Sequence, residues 1–209
     1  MSTLQGSALN KINRRFRYNL CYFGRPPWDT GISPPELIEY LQNTTPGKAL
    51  DVGCGTGTNL LTMASYGWDV VGFDLAWISV LKARIKLLKA GVKGRVLYGD
   101  VSAALQPGTD FDLILDIGCY HGLSPQERAN YRRNLARWLK PGGNYLLYAH
   151  LKTASTALYG LSEADFDGFS EFLNCHWRVD SPERRPDGGG GNPASWTLFE
   201  RRESTTRGC

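Results

Sequence analysis

The chain has no run approaching the ~20 apolar residues that a bilayer-spanning helix needs, and Met1 to Asn10 lacks the apolar segment of a secretion signal. A cytoplasmic protein without a membrane partner is therefore expected. Cysteine is too sparse and too irregular for a scaffold: Cys21, Cys54, Cys119, Cys175 and Cys209 are odd in number and contain no C-x-x-C pair. Only three histidines accompany them, so neither a disulfide framework nor a metal site is expected. Acids are absent ahead of Asp29, whereas Lys11, Arg14, Arg15, Arg17 and Arg25 all precede it. That cluster supplies much of a net charge of +4 and reads as solvated surface, with nucleic acid or an anionic substrate as the alternatives. No internal repeat is present. What the chain does have is 42 % apolar content over 209 residues, enough to bury about 70 % of the unfolded surface in one core, so a second core is not required.

The sequence is centred on Lys48-Ala-Leu-Asp-Val-Gly-Cys-Gly-Thr-Gly-Thr58. Ala49 to Val52 reads as a buried strand and Asn59 to Ser65 as the start of a helix, half of a nucleotide-binding unit. Glycine has no Cβ, so Gly53, Gly55 and Gly57 let the backbone turn sharply and approach a ligand. Asp51 decides which ligand. A pyrophosphate set against the helix start would be repelled by this carboxylate, whereas an ammonium or sulfonium would be attracted. A nicotinamide oxidoreductase is disfavoured on that ground, and the spacing is Gly-x-Gly-x-Gly rather than Gly-x-Gly-x-x-Gly. Asp51-Val-Gly-Cys-Gly-Thr-Gly57 resembles motif I of the class I S-adenosylmethionine (AdoMet)-dependent methyltransferases. The resemblance implies that Asp51, Gly53, Cys54, Gly55 and Gly57 line an AdoMet site. A glycine turn with a purely structural role is the alternative.

Asp69 to Phe73 reads as a second buried strand ending at Asp74, which follows Asp51 at close to the ~20-residue spacing of an acid that binds ribose hydroxyls. Leu75 is placed to pack on an adenine face. By itself Asp74 would serve as a helix N-cap. Arg95 to Gly99 is a third strand leading to Asp100-Val101, where the resemblance implies contacts to the adenine amino group and a ring nitrogen; a turn acid is the alternative. Phe111 to Leu115 is a fourth strand ending in Asp116-Ile-Gly-Cys-Tyr-His121. Strand tips of parallel sheets point into the ligand crevice. Asp116 resembles the motif IV acid, which implies that it and Ile117 lie near the methionyl end of AdoMet or the acceptor. His121 could take a proton from the acceptor, or could orient the loop through a backbone carbonyl.

Helical spacing of Leu9, Ile12, Phe16 and Leu20 predicts a helix whose apolar stripe docks onto the main body. Arg25-Pro-Pro-Trp-Asp-Thr-Gly31 then breaks it. With Pro34-Pro-Glu-Leu, this segment resembles the N-terminal extension of methyltransferases related to thiopurine methyltransferase and the tellurite-resistance branch. The resemblance implies a segment folded over cofactor and substrate, with Tyr18, Tyr22 and Trp28 lining a pocket, where an aromatic face also suits a sulfonium. Simple anchoring of the extension is the alternative. Further on, Ile78, Leu81, Ile85 and Leu88 make a helix amphipathic, with Lys82, Arg84, Lys86 and Lys89 facing solvent. Ser124-Pro-Gln-Glu127 is a capping box with proline at the first helical position, and Tyr131, Leu135 and Trp138 form that helix's inner stripe. Lys140-Pro-Gly-Gly143 is expected to stop it before a fifth strand, Asn144 to Ala149.

Beyond Leu151 the expectations are a loop over the pocket, a short helix from Glu163 to Leu173, and strands at Cys175 to Val179 and Ser195 to Phe199, joined by a turn containing Asp187-Gly-Gly-Gly-Gly-Asn192. The whole implies a doubly wound α/β fold with a Rossmann-like, mostly parallel seven-stranded sheet, by resemblance ordered 3-2-1-4-5-7-6 with the last strand antiparallel. One domain over 1–209 is expected: a lid-like extension at 1–35, an AdoMet-binding core at 36–202 and a tail at 203–209. The expected activity is methyl transfer from AdoMet to a small-molecule S, O or N acceptor, with Asp116 and His121 as candidate catalytic residues and no nucleic-acid partner. A nucleic-acid methyltransferase and a non-catalytic AdoMet-binding protein are the alternatives. Against the former, Asp116-Ile-Gly-Cys lacks the Asp-Pro-Pro-Tyr pattern of base amino-methylating enzymes.

Overall fold

A computed structural model describes the backbone of residues 2–153, 159–181 and 191–203, with side chains from residue 13 onward. The sheet grows from the apolar strands the sequence marks out. β1 (Lys48–Val52) is buried on both faces from Ala49 onward and takes parallel partners on each side, β2 (Asp69–Asp74) and β4 (Phe111–Ile117). β3 (Gly94–Tyr98) adds to β2, and β5 (Leu139–His150) to β4, again parallel. β7 (Ala194–Arg201) inserts antiparallel between β5 and β6 (Leu173–Asp180), which completes the order β3-β2-β1-β4-β5-β7-β6. Such crossovers need helices, and these bury the two sheet faces. One core gathers Phe73, Ile114, Tyr131, Leu135, Trp138 and Phe169; the other gathers Leu37, Leu60, Met63, Trp68, Ala83 and Leu113.

The helices are α1 (Ser2–Phe23), α2 (Pro35–Gln42), α3 (Thr58–Ser65), α4 (Trp77–Lys89), α5 (Pro125–Trp138) and α6 (Glu163–Asp167). α5 starts as expected: Glu127 Oε2 accepts from the Ser124 backbone N–H at 3.0 Å, Ser124 Oγ accepts from Glu127 N–H, and Pro125 follows the cap. Its inner stripe of Tyr131, Leu135 and Trp138 is buried.

Two apolar stripes do not lie where their periodicity suggested. On α1, Phe16 and Leu20 are exposed, and the contacting side instead presents Arg14, Asn19 and Tyr22; Leu9 and Ile12 fall outside the described side chains. On α4, Leu81, Ile85 and Leu88 are exposed, while Ile78, Val80, Ala83 and Leu87 supply the buried face. Small residues such as Ala83 are needed there because the glycine turn passes close by: a Cβ on Gly57 would sit 3.0 Å from that of Ala83.

Element bounds differ in two further places. β5 begins at Leu139, which pairs with Phe111, and Pro141-Gly142-Gly143 forms a bulge before pairing resumes at Leu113 and Asn144. Glycine is required at 143, where a Cβ would come within 2.8 Å of the Phe111 carbonyl oxygen. α6 stops at Asp167, short of Leu173, and the chain continues through turns from Gly168. Most of the glycine-rich turn near Gly189 and the last six residues lie outside the described residues.

Candidate active site

The crevice at the carboxyl ends of β1, β2, β3 and β4 is lined with carboxylates. The turn after β1 is held open by three glycines in the left-handed region, Gly53, Gly55 and Gly57, at φ of 72°, 52° and 79°. Side chains with a Cβ are strained at such angles. Gly53 and Cys54 donate their backbone N–H groups to the Phe73 carbonyl at 2.9 and 3.0 Å, pinning the turn to the end of β2. Cys54 is buried, with its thiol pushed up by burial and then by Asp51 and Asp74, so it is an inert packing group.

Asp51 is buried, and its Oδ2 has no hydrogen-bond partner. Burial, and after it the nearby charges of Asp116 and Asp74, push its carboxyl up to about 8. A positive group placed beside such a buried acid would restore its charge. Asp74 is differently held. Its Oδ2 accepts from Gly55 N–H at 3.0 Å and its Oδ1 from Ala76 N–H at 2.7 Å, so glycine turn and second acid form one rigid unit. Burial raises its pKa, opposed by the bonds from Ala76 and Gly55. Leu75 lies between these contacts, half-buried. The helix-cap alternative has some basis, since Asp74 does bond the first turn leading into α4.

At the tip of β3, Asp100 Oδ1 accepts from Ser102 N–H and Oγ–H at 2.9 and 2.7 Å, and its Oδ2 meets Arg14 of α1 at 3.5 Å. Asn134 of α5 donates to the carbonyls of Val101 and Ala103 at 2.7 and 2.8 Å, which fixes this loop from behind. Arg14 also pairs with Glu127 at 3.0 Å. Arg14 was marked only as one of a basic cluster and Asn134 not at all, because their partners lie far along the chain.

Asp116 is fully buried on the tip of β4. It accepts from Cys119 N–H at 2.7 Å, Tyr120 N–H at 3.1 Å, Tyr131 O–H at 2.8 Å and Tyr145 O–H at 3.4 Å. Burial raises its pKa to about 7 against these bonds. Ile117 beside it is half-buried and ends the strand. Four donors converge on one carboxylate, which fixes the 117–121 loop.

His121 is held on both nitrogens. The His150 backbone N–H can only donate, and it lies 3.2 Å from His121 Nδ1, so Nδ1 accepts. The ring proton of the neutral form is then on Nε2 and is donated to Tyr159 Oη at 2.6 Å. The ring stacks on His150 at 4.6 Å. Burial, then His150 and Arg128, lower its pKa to about 3, so it is neutral at ordinary pH. Arg128 secures the same corner, donating to the carbonyls of His121 and Gly160 at 2.8 and 3.0 Å and pairing with Asp165 at 2.7 Å.

α1 lies against α4 and the glycine turn. Asn19 Oδ1 accepts from Ile78 N–H at 3.2 Å, and Lys82 donates to the Tyr22 carbonyl at 2.6 Å. Buried Tyr22 reaches the glycine turn: a Cβ on Gly55 would lie 3.1 Å from its hydroxyl. Trp28, half of whose surface is open, donates its indole N–H to that hydroxyl at 3.1 Å and stands edge-on to Tyr18 and Tyr22. Asp29 accepts from Thr56 of the turn at 2.7 Å. The donor set suits AdoMet: an unpartnered buried acid for positive charge, a second acid fixed beside the glycine turn, and aromatic rings over the opening.

Comparison with known proteins agrees with that geometry. Residues 49–143 match a family described as a methyltransferase domain. A probable thiol methyltransferase of Arabidopsis thaliana is 32 % identical over 127 residues, covering 59 % of this chain and 56 % of its own. A ribosomal RNA small subunit methyltransferase C of Alcanivorax borkumensis is 32 % identical over 108 residues, covering 50 % of this chain and 33 % of its own. The chain thus spans about a third to a half of the length of these relatives. Among solved structures, one concerned with the conversion of a disulfide bond into a thioacetal group during echinomycin biosynthesis superposes with a TM-score of 0.77 at 22 % identity, covering 92 % and 94 % of the two chains. TehB of Haemophilus influenzae superposes at 0.71 with 19 % identity, covering 88 % of this chain and 66 % of its own. Strand order and superposition thus give this chain the doubly wound seven-stranded fold of these structures, and the acid-flanked glycine turn lies inside the stretch that is similar to a methyltransferase domain.

Proposed function

We propose that this chain transfers the methyl group of AdoMet to a small-molecule acceptor, and that the acceptor is a soft sulfur nucleophile. The observation carrying the second half is the absence of a disposable base at the tip of β4 among the described residues: Asp116 is saturated with four donors, and His121 is neutral with its Nε2 proton donated to Tyr159. Bound AdoMet supplies a methyl carbon already activated by positive sulfur, and in-line displacement returns the electron pair to that sulfur. The chain's residues align and exclude water. A thiolate arrives deprotonated and needs no base, whereas a hydroxyl must lose a proton. The name of the Arabidopsis relative, a probable thiol methyltransferase, supports this reading.

Under this proposal Asp51, Gly53, Gly55 and Gly57 hold the methionyl half, Asp74 and Leu75 the ribose, and Asp100 and Val101 the adenine. Residues 1–35 act as a lid, with Tyr18, Tyr22 and Trp28 over the opening. Asp116 positions the loop, and His121 orients Tyr159. The rest of the chain to Arg202 is one domain with this lid. A cytoplasmic setting belongs to the same proposal, in keeping with the free thiols of Cys21, Cys54, Cys119 and Cys175.

Calorimetry with S-adenosylhomocysteine (AdoHcy) and NAD, followed by turnover assays across thiols, phenols, amines and oligonucleotides, tests it. AdoHcy binding with preferred turnover of thiols is expected. Saturable NAD binding without a response to AdoHcy would overturn the cofactor assignment, and faster turnover of phenols or oligonucleotides would overturn the acceptor.

A further inference from the structure

The two misplaced stripes lie side by side on the outside of the protein. Trp77, Leu81, Ile85 and Leu88 of α4 are 42 to 80 % exposed and repeat at helical spacing along one face. Phe16, Leu20 and Phe23 of α1 are 50 to 75 % exposed in the same manner. The helices are joined by the Asn19 to Ile78 and Lys82 to Tyr22 bonds, so both stripes belong to one surface. Isolated exposed apolar residues are ordinary, but seven large ones on two adjoining helices form a patch that calls for a partner.

Charge identifies the partner. Residues 1–28 and 75–99 contain eleven of the 24 lysines and arginines and not one of the 20 acids, and of these Arg14 turns inward to Asp100 and Glu127. Along α4, Lys82 and Lys89 flank the stripe toward α1 and Arg84 flanks it toward β3, with exposed Lys93 just past the helix end; Asp69 is the acid at that far rim. A second copy of the same face would set this positive charge against itself. A nucleic acid would find Trp77, Phe16 and Phe23 to stack on but would meet Leu81, Ile85 and Leu88 along the length of α4, where it needs polar groups. An anionic lipid surface satisfies both features: the apolar stripe enters the acyl boundary, the tryptophan sits at headgroup level, and the basic side chains meet lipid phosphates.

We propose that the α1–α4 face docks peripherally on anionic membranes, with α4 lying in the interface plane. No described helix is long and apolar enough to cross a membrane, so the contact is superficial. The proposal does not depend on the methyl acceptor.

The test is flotation of the full chain with phosphatidylcholine vesicles, with and without phosphatidylglycerol. Binding is expected only when phosphatidylglycerol is present, and it should weaken as salt is raised. The variant L81Q/I85Q/L88Q should bind at least tenfold less while keeping its circular dichroism spectrum and melting temperature, because those side chains face outward. Charge reversal in K89E/K93E should weaken binding similarly without touching the apolar stripe. No binding, equal binding to neutral vesicles, or unchanged binding by both variants would overturn the proposal. So would a solution dimer in light scattering that the triple variant dissociates, or oligonucleotide binding tighter than vesicle binding.

Discussion

At the residue scale the crevice turns on two acids with opposite states of satisfaction. Asp74 is fixed by backbone N–H groups from Gly55 and Ala76, so its carboxylate geometry is set before any ligand arrives. Asp74→Ala is expected to weaken AdoHcy binding by about 1.5 to 3 kcal/mol, the scale of a charged hydrogen bond. Unchanged affinity in a folded variant, measured by calorimetry, would leave Asp74 as a helix cap alone. Asp51 differs because its buried Oδ2 lacks a partner. Asp51→Asn should abolish most ligand binding yet melt at a higher temperature than the parent at pH 8, since the amide cannot ionise in that environment. A lower melting temperature for the variant at pH 8 would contradict this account of the carboxyl.

At the scale of elements, α1 is tied to the crevice by side chains rather than by an apolar stripe. Arg14 bridges Asp100 and Glu127, and burial of Glu127 is outweighed by its bonds to Ser124 and Arg14, which hold its carboxyl below the usual range. Arg14→Ala should cost about 1 to 3 kcal/mol, because buried Asp100 and Glu127 both lose the guanidinium that bridges them. Urea unfolding checks the magnitude. Trp28→Ala should weaken AdoHcy binding by about 0.5 to 1.5 kcal/mol, the worth of an aromatic contact. A folded variant with full affinity would make Trp28 an anchor of α1 only.

The same elements show what the sequence discloses. The glycine turn was legible because left-handed φ is a local demand that only particular residues meet, and the α5 capping box because its bonds span three positions. Strand order followed from resemblance, and the β7 reversal came with it. The inner faces of α1 and α4 were not legible, since periodicity reveals a stripe but not which neighbour covers it. His121 was visible as a histidine on a strand tip. Its tautomer depends on His150 and Tyr159, which no nearby spacing announces.

At the scale of the whole molecule, the buried groups make ligand-free stability a function of pH. Asp51 and Asp116 have folded pKa values of about 8 and about 7, above an unfolded carboxyl near 4. Their contribution is fully present below the unfolded value and is lost as pH rises through 7 and 8; Asp74 is shifted in the same sense. His121 runs the other way. Its folded pKa of about 3 lies below the unfolded value, so its contribution is present above about 6.5 and is lost as pH falls toward 3. From about pH 4.5 to 6 the folded state holds more protons than the unfolded chain, two carboxyl protons against one imidazole proton. Above about pH 6.5 the imidazole no longer offsets them, and the slope steepens. Between pH 5 and pH 8, ligand-free protein should therefore melt highest at pH 5 and progressively lower toward pH 8. Each excess proton contributes a slope of about 1.4 kcal/mol per pH unit. Asp51→Asn should remove one proton's share of that slope. AdoMet should flatten it in the parent alone, because its positive charge stabilises the ionised carboxylate and releases the proton that burial retains. Differential scanning fluorimetry from pH 5 to 8, with parent and variant, with and without AdoMet, measures all four slopes. A parent that melts highest at pH 8 without ligand would refute the assignment of neutral buried acids to this crevice.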